Sequence, residues 1–146
     1  MKSEADPITD DEWLLRRVHK DRFKNDRVPI ISPSAFEPRI KGRDPDVDGI
    51  SLYREACLAS PEEILATVAE EKRHEFGIVR IPVKSLRELE LRVEPQPDPR
   101  VTGHVVIPDL NATDYAASKS KFTSTFLDLA TLASLDENIV LTPRAQ

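Results

Sequence analysis

The sequence predicts a small single domain of the α+β class, with a mainly antiparallel sheet packed by two principal helices at about 61–74 and 113–135. A length of 146 residues is the usual size of one domain and allows a real hydrophobic core. Apolar and charged residues alternate within the segment 77–108, as in strands with one buried face. Apolar residues recur at helical spacing in the other two segments. Residues 1–8 are expected to form a flexible tail, and residues 9–146 the single α+β domain.

The amino-acid composition limits the kind of protein, the partners and the metal sites that can be expected. The apolar fraction of 39% and the charged fraction of 32% are typical of a soluble globular protein. A net charge of −5 gives the whole chain no attraction for nucleic acid or anionic lipid, so neither is expected as a partner. The single cysteine, Cys57, excludes an internal disulfide and a cysteine-based metal site. The polar N-terminus lacks the apolar run of a signal peptide, which predicts a cytoplasmic location without a membrane span.

The first part of the chain predicts short elements joined by stiff connections, since twelve prolines accompany only four glycines. A capping-box pattern at 9–12 precedes an apolar segment, and residues 10–18 fit either a helix or a first strand. Residues 28–31 predict a short strand whose proline suits an edge strand or the first position of a strand. A brief strand or helix entry follows at 50–53. The polar loop between them, at 37–49, is of the length that is often functional.

The clearest helix start lies at residues 60–63. It combines a serine N-cap, a proline at the first helical position and a reciprocal glutamate. The helix predicted from this pattern runs to about His74 and buries Ile64, Leu65 and Val68.

Three strands and one terminal segment complete the prediction. Residues 78–83 alternate, and Pro82 suggests an edge position. Residues 88–94 alternate strictly, with aliphatic side chains on one face and charges on the other. A proline-rich connection leads to 103–108, which makes these two strands antiparallel neighbours. The apolar segment 139–141 fits a strand or a docking tail.

The histidines predict no metal site. None of His19, His74 and His104 has another histidine at the spacing of metal ligands on a helix, and the sequence implies no cofactor. His104 is the most promising of the three, because Gly103 beside it allows close approach of a backbone or a ligand. A hydrogen-bonded structural histidine is the commoner outcome at such a position.

A basic segment at 16–27 holds six cations against two carboxylates. Its cations are Arg16, Arg17, Lys20, Arg22, Lys24 and Arg27. If they share one surface, that surface could bind phosphate or nucleic acid. Because no motif of a nucleic-acid module accompanies them, a solvated face is the favoured interpretation.

Signatures of the common active sites are missing from the sequence. Ser34, Ser51 and Ser60 lack the G-x-S-x-G context of a nucleophile elbow. Cys57 has no activating neighbour, and no glycine-rich phosphate loop is present. The sequence therefore favours a non-catalytic binding or regulatory module that acts through a protein partner over an enzyme.

Five short motifs stand out along the chain: Trp-Leu-Leu-Arg-Arg at 13–17, Ser-Ala-Phe at 34–36, Ile-Ser-Leu-Tyr at 50–53, Gly-Ile-Val at 77–79 and Gly-His at 103–104. In these motifs the chain resembles a class of short, uncharacterised bacterial proteins. The resemblance implies no known activity.

The early arginines and the serine that follows are also similar to those of ADP-ribosyltransferase-like domains. In that family a first strand presents an arginine and the next strand presents a serine for binding NAD. Arg16 or Arg17, and then Ser34, would occupy those places. The family's late catalytic glutamate has no match between 103 and 107, and Glu94 is the nearest substitute.

This resemblance implies an alternative to the binding module. The chain would be an NAD-using enzyme or a degenerate relative, with Arg17, Ser34 and His104 converging on one cleft. Together with Arg16, these three are the candidate ligand-binding residues. No residue is assigned a catalytic role.

Overall fold

The computed structural model describes residues 1–144 and contains one six-stranded antiparallel sheet. Its strands are β1 (Trp13–His19), β2 (Ile50–Arg54), β3 (Phe76–Pro82), β4 (Glu94–Pro95), β5 (His104–Ile107) and β6 (Ile139–Leu141). They lie side by side in the order β4-β5-β2-β1-β3-β6. The predicted α+β class with a mainly antiparallel sheet is thereby confirmed.

Helical structure in the described part of the chain is short. The α-helices are α1 (Val83–Glu88), α2 (Ala112–Ala117) and α3 (Thr123–Ala133). The 3-10 segments are Lys20–Arg22, Pro33–Phe36, Glu55–Cys57, Pro61–Thr67, Glu70–Glu75, Lys119–Phe122 and Asp136–Asn138. Between residues 1 and 144, no helix has both the length and the apolar character needed to cross a membrane.

The sheet is covered on both faces, which explains why β1 has no clear sequence period. Leu14 and Leu15 point to opposite faces of the strand, and both are fully buried. Leu14 belongs to the core that includes Phe126 and Leu129 of α3. Leu15 packs on the other side in the cluster that includes Ile64. The segment that fitted a helix or a strand is therefore a strand with two buried faces.

The first predicted principal helix is replaced by two 3-10 segments, Pro61–Thr67 and Glu70–Glu75. Val68 between them is extended, with a ψ of 139°. The consecutive β-branched side chains of Thr67 and Val68 disfavour a continuous α-helix, and Ser60 makes no capping hydrogen bond with its side chain. The pattern predicted the place of the helical structure but not its type.

The second predicted principal helix is divided into α2, a 3-10 turn and α3. The break lies at Ser118, where φ is −158° and ψ is 78°. Serines at 118 and 120 lower the helix propensity here. The rings of Tyr115, Phe122 and Phe126 still pack together, with centroids 5.4 to 5.8 Å apart. The aromatic contacts, rather than a continuous helix, account for the apolar spacing.

The strictly alternating segment 88–94 is not a strand. Glu88 ends α1, and Glu90 has a positive φ of 63° that reverses the chain. Leu91 is then buried, with its amide donating to the Leu86 carbonyl at 3.0 Å. Antiparallel pairing with β5 occurs at the two residues of β4. The end of α1 at Glu88 and the chain reversal at Glu90 thus replace the beginning of the predicted strand.

Two further strand predictions need correction. Pro82 does not mark an edge strand, because β3 lies between β1 and β6 and Pro82 stands at its end, beyond the pairing with β6. Residues 28–31 form no strand, although Ile31 makes an isolated bridge with Phe23. The Ile31 amide donates to the Ser134 hydroxyl at 2.9 Å, so it is used by a contact with the end of α3.

The first eight residues, expected to form a flexible tail, contact a buried arginine. Arg54 of β2 is 1% exposed, and its Nε and Nη2 donate to the carboxylate of Glu12 at 2.8 and 2.9 Å. Its other N–H groups donate to the carbonyls of Glu4, Asp6 and Pro7 at 3.4, 2.9 and 3.2 Å. The guanidinium is thereby fully satisfied.

The Glu12–Arg54 pair predicts a loss of stability in acid. Desolvation opposes ionisation of Glu12, but hydrogen bonds from Arg54 and the Thr9 amide outweigh it and lower the pKa of Glu12 to about 2 from an ordinary 4.5. A pKa lowered by folding contributes stability above the unfolded value, and this stability is lost as the pH falls from about 4.5 towards 2. Between pH 6 and pH 3, Glu12 should account for a loss of about 2 kcal/mol in the free energy of unfolding, measured with urea.

Replacing Glu12 by Gln tests the same pair at neutral pH. The amide keeps the shape but leaves the Arg54 cation buried without a counter-charge, and we expect a loss of about 3–5 kcal/mol in the free energy of unfolding. The matched control is Asp10→Asn, which breaks the exposed ion pair between Asp10 and Arg87 and should cost less than about 1 kcal/mol. Equal losses in the two variants would contradict the role given to the buried pair.

Candidate anion-binding cleft

Strands β1 and β2 separate after a short pairing and leave a cleft between them. β1 pairs with β3 along its whole length, whereas its pairing with β2 covers Leu14 and Leu15. β2 meanwhile remains paired with β5 from Ile50 to Tyr53. A cleft of about 260 Å³ lies where the strands diverge, and it is lined by both strands, the 3-10 segment Pro33–Phe36 and the loop 37–49. The sheet itself thus supplies the site.

The charge in the cleft is positive, in contrast to the whole chain. Four arginines and two carboxylates line it: Arg16, Arg17, Arg22, Arg39, Glu37 and Asp46. Among residues 1–144, none of the four guanidinium groups has a carboxylate oxygen within 4.0 Å. Glu37 instead accepts from the Tyr115 hydroxyl at 2.9 Å, and Asp46 accepts from the Arg39 backbone amide at 2.6 Å. The positive charges of these four arginines are therefore not paired with the two carboxylates of the cleft, and they can attract an anion.

Arg16 spans the gap between the separated strands. Its Nε donates to the Ala35 carbonyl and its Nη1 to the Ser51 carbonyl on β2, both at 2.8 Å. Desolvation lowers the pKa of Arg16 to about 10, with Asp46 opposing the shift and Arg17 adding to it. The group stays charged at neutral pH. Because it is poorly hydrated, an anion placed beside it gains more than beside an exposed arginine.

Arg17 reaches the cleft from the other face of β1, since neighbouring residues of a strand point in opposite directions. Its Nη1 donates to the Tyr53 hydroxyl at 3.4 Å and to the side chain of Thr67. Residues of β2 and of the 3-10 segment Pro61–Thr67 therefore fix its position.

Ser34 lies on the wall formed by the segment Pro33–Phe36. Ser32 caps this segment, accepting from the Ser34 amide at 3.3 Å. The two hydroxyl oxygens are 2.8 Å apart. Ser34 thus lines the cleft, and its hydroxyl is already hydrogen-bonded to a second serine.

His104 lies behind the cleft and reaches it through Ser51. The histidine is 8% exposed, and its ring packs on Tyr53 with centroids 5.2 Å apart. Its Nδ1 is 2.6 Å from the carbonyl oxygen of Gln96, and its Nε2 is 2.9 Å from Oγ of Ser51. A carbonyl oxygen only accepts, so Nδ1 carries the proton and Nε2 of the neutral ring accepts from the Ser51 hydroxyl.

Gly103 allows a close approach, but the atoms that approach it belong to other residues of the protein and not to the space of the cleft. Its φ is +85°, and a Cβ placed on it would lie 2.8 Å from Cβ of Cys57 and 3.3 Å from Cβ of Arg54. Its carbonyl accepts from the Arg54 amide at 2.9 Å. A glycine is needed here so that β5 can begin against the buried arginine.

The structure thus brings Arg16, Arg17 and Ser34 to one cleft and places His104 one hydrogen bond behind it. The basic segment 16–27 is divided: Arg22 also lines the cleft, whereas exposed Arg27 of the same segment does not.

The sequence reasoning missed several lining residues. Ser51 lacks a nucleophile-elbow motif, and no sequence spacing identifies His104 on β5 as its hydrogen-bond partner. Arg39 and Asp46 come from the loop 37–49, whose length was the only sequence signal for them. Glu94, the suggested substitute for a late glutamate, lies beside a different depression, and the glutamate of the cleft is Glu37.

No protein-family model, no curated protein and no solved structure matches this chain.

Proposed function

We propose that this protein binds a small phosphate-bearing anion in the cleft between β1 and β2. The observation that carries the proposal is that four arginines line the cleft and that, among residues 1–144, no carboxylate oxygen lies within 4.0 Å of their guanidinium nitrogens. A guanidinium offers paired N–H donors that match the oxygens of a phosphate. The hydroxyls of Ser34, Ser51 and Tyr53 add neutral hydrogen-bonding groups on the same walls.

The dimensions favour a small ligand over an extended polyanion. A volume of about 260 Å³ is near the lower end for small-molecule sites. Outside the cleft, a chain of net charge −5 repels a long nucleic acid. The proposal keeps the binding module favoured by the sequence and gives it a small-molecule ligand. The protein partner expected from the sequence stays a prediction.

Two exposed arginines of the cleft provide the sharpest test. Arg22→Gln and Arg39→Gln each remove one positive charge, and their exposure makes a folding defect unexpected. With inorganic pyrophosphate as the probe at low salt, isothermal titration calorimetry should show binding to the unaltered protein. Each variant should bind roughly tenfold more weakly, because one charge-assisted contact is lost.

Arg27→Gln is the matched control. It makes the same change of charge in the same basic segment, but Arg27 does not line the cleft. We expect its affinity for pyrophosphate to stay within about twofold, since screening weakens charges at a distance. An equal loss in all three variants would assign binding to the surface of the segment 16–27. Absence of pyrophosphate binding to the unaltered protein would refute the proposal.

The second candidate function is the NAD-using, ADP-ribosyltransferase-like activity. One observation favours it: Arg16, Arg17 and Ser34, which that resemblance selects, line the same cleft. Glu37 also lines the cleft and accepts from the Tyr115 hydroxyl at 2.9 Å. Burial, together with this hydrogen bond, raises the pKa of Tyr115.

Release of nicotinamide from NAD distinguishes the second candidate from simple anion binding. If the second candidate holds, Glu37→Gln should lower the rate of release at least about 100-fold, in the range typical for loss of a positioned carboxylate. Glu94→Gln, outside the cleft, should leave the rate unchanged. No release above the buffer rate would remove this candidate and leave anion binding intact.

A further inference from the structure

A serine hydroxyl in the cleft is hydrogen-bonded to an imidazole. Ser51 lines the cleft, and its Oγ lies 2.9 Å from Nε2 of His104, within the usual distance between a nucleophile and its base. Ser34 on the opposite wall has a different partner, since its Oγ is 2.8 Å from Oγ of Ser32. Of these two cleft serines, Ser51 has a group that can take its proton.

The orientation of His104 directs its lone pair at Ser51. The Gln96 carbonyl holds the proton on Nδ1 at a distance of 2.6 Å, which leaves Nε2 unprotonated in the neutral ring. In serine hydrolases an aspartate fixes the tautomer in this way. A backbone carbonyl of the connection between β4 and β5 does so in this protein.

A hydrogen bond with a purely structural role would satisfy the buried imidazole of His104 equally well. Such a role does not require Ser51 to line a cleft that also contains arginines. The guanidinium of Arg16 donates to the carbonyl of Ser51 itself at 2.8 Å, so a cation lies beside the residue that bears the hydroxyl. Arg17 and Ser51 line the same cleft. Cations beside a nucleophile are what transfer of a charged group requires.

We propose that Ser51 is a nucleophile with His104 as its general base, and that the protein hydrolyses a phosphate monoester held by the arginines of the cleft. This inference rests on the proposed function, because the arginines must first bind the phosphoryl group. They would neutralise its oxygens in the transition state, as positively charged groups do in phosphoryl transfer.

The reaction proceeds in two balanced steps. In the first, Oγ of Ser51 attacks phosphorus while the bond from phosphorus to the ester oxygen breaks. Nε2 of His104 takes the hydroxyl proton and passes it to the departing alcohol oxygen. In the second, water attacks the phosphoserine and gives a proton to Nε2. The bond from phosphorus to Oγ breaks, Oγ recovers that proton, and inorganic phosphate is released.

A fluorophosphonate probe tests the nucleophile without knowledge of the natural substrate. Oγ would form a bond to phosphorus as the phosphorus–fluorine bond breaks, with the proton moving to His104 and fluoride leaving. Mass spectrometry of the intact protein and its peptides should find one adduct, on Ser51. Ser51→Ala should abolish the adduct, and release of p-nitrophenol from p-nitrophenyl phosphate should be lost with it.

Two variants separate the base from a structural histidine. In His104→Asn the amide nitrogen replaces Nδ1 towards Gln96, and in His104→Gln the side chain can still accept from Ser51, but neither offers a base. Both should lower the labelling rate at least about 100-fold while pyrophosphate still binds, which shows that the variant is folded. His74→Gln, whose side chain does not line the cleft, is the control and should label at the unaltered rate.

The outcomes separate this inference from the proposed function. Absence of a Ser51 adduct on the unaltered protein, while pyrophosphate binds, overturns the inference and leaves anion binding standing. Labelling of His104→Asn at the unaltered rate also overturns it. A Ser51 adduct without pyrophosphate binding supports the nucleophile and refutes the anion site, and with it the phosphate monoester as substrate.

Discussion

The buried ion pair between Glu12 and Arg54 is the constraint on which the rest of the molecule depends. It lies where β1 and β2 are paired, since Leu14 of β1 stands opposite Arg54 itself. All the donors of the guanidinium are used, by the Glu12 carboxylate and by the carbonyls of Glu4, Asp6 and Pro7. The two central strands are thus held at one end by an interaction that does not depend on a long ladder. They are free to separate at the other end.

A second arginine, Arg16, lies where β1 and β2 are separate. At the open end Arg16 donates to a carbonyl of β2 and to one of the segment Pro33–Phe36, so its side chain, in place of a backbone ladder, connects these elements. Arg54, which is paired with a carboxylate, therefore lies where β1 and β2 are hydrogen-bonded to each other. Arg16, which has no such partner in the described part of the chain, lies where the two strands are separate. The difference explains why two arginines on neighbouring strands have opposite roles. Arg54 is neutralised by Glu12, whereas Arg16 has no carboxylate oxygen within 4.0 Å among residues 1–144.

Sequence reasoning predicted the fold class and the strands at 78–83 and 103–108 because these depend on local pattern, and it left β1, β2 and β6 open between a strand and another structure. It failed where non-local contacts decide: β1 showed no period because it has two buried faces, and the alternation at 88–94 was overruled by α1. Arg16 and Arg17 were candidates because of the basic segment 16–27 and, together with Ser34, because of the resemblance to ADP-ribosyltransferase-like domains. Ser51 was missed because its partner lies 53 positions away, on a strand whose pairing the sequence did not specify.

The position of β2 explains why the candidate chemistry converges on Ser51. On one side β2 pairs with β5, and this register sets Tyr53 opposite His104, from which the imidazole reaches Ser51 two residues along the same face. On its other side β2 faces the gap left by β1, across which Arg16 binds the Ser51 carbonyl. If β1 and β2 were paired along their full length, the backbone of β1 would occupy this gap. The split in the sheet therefore places Ser51, whose hydroxyl is hydrogen-bonded to the His104 imidazole, on the wall of a cleft that four arginines also line.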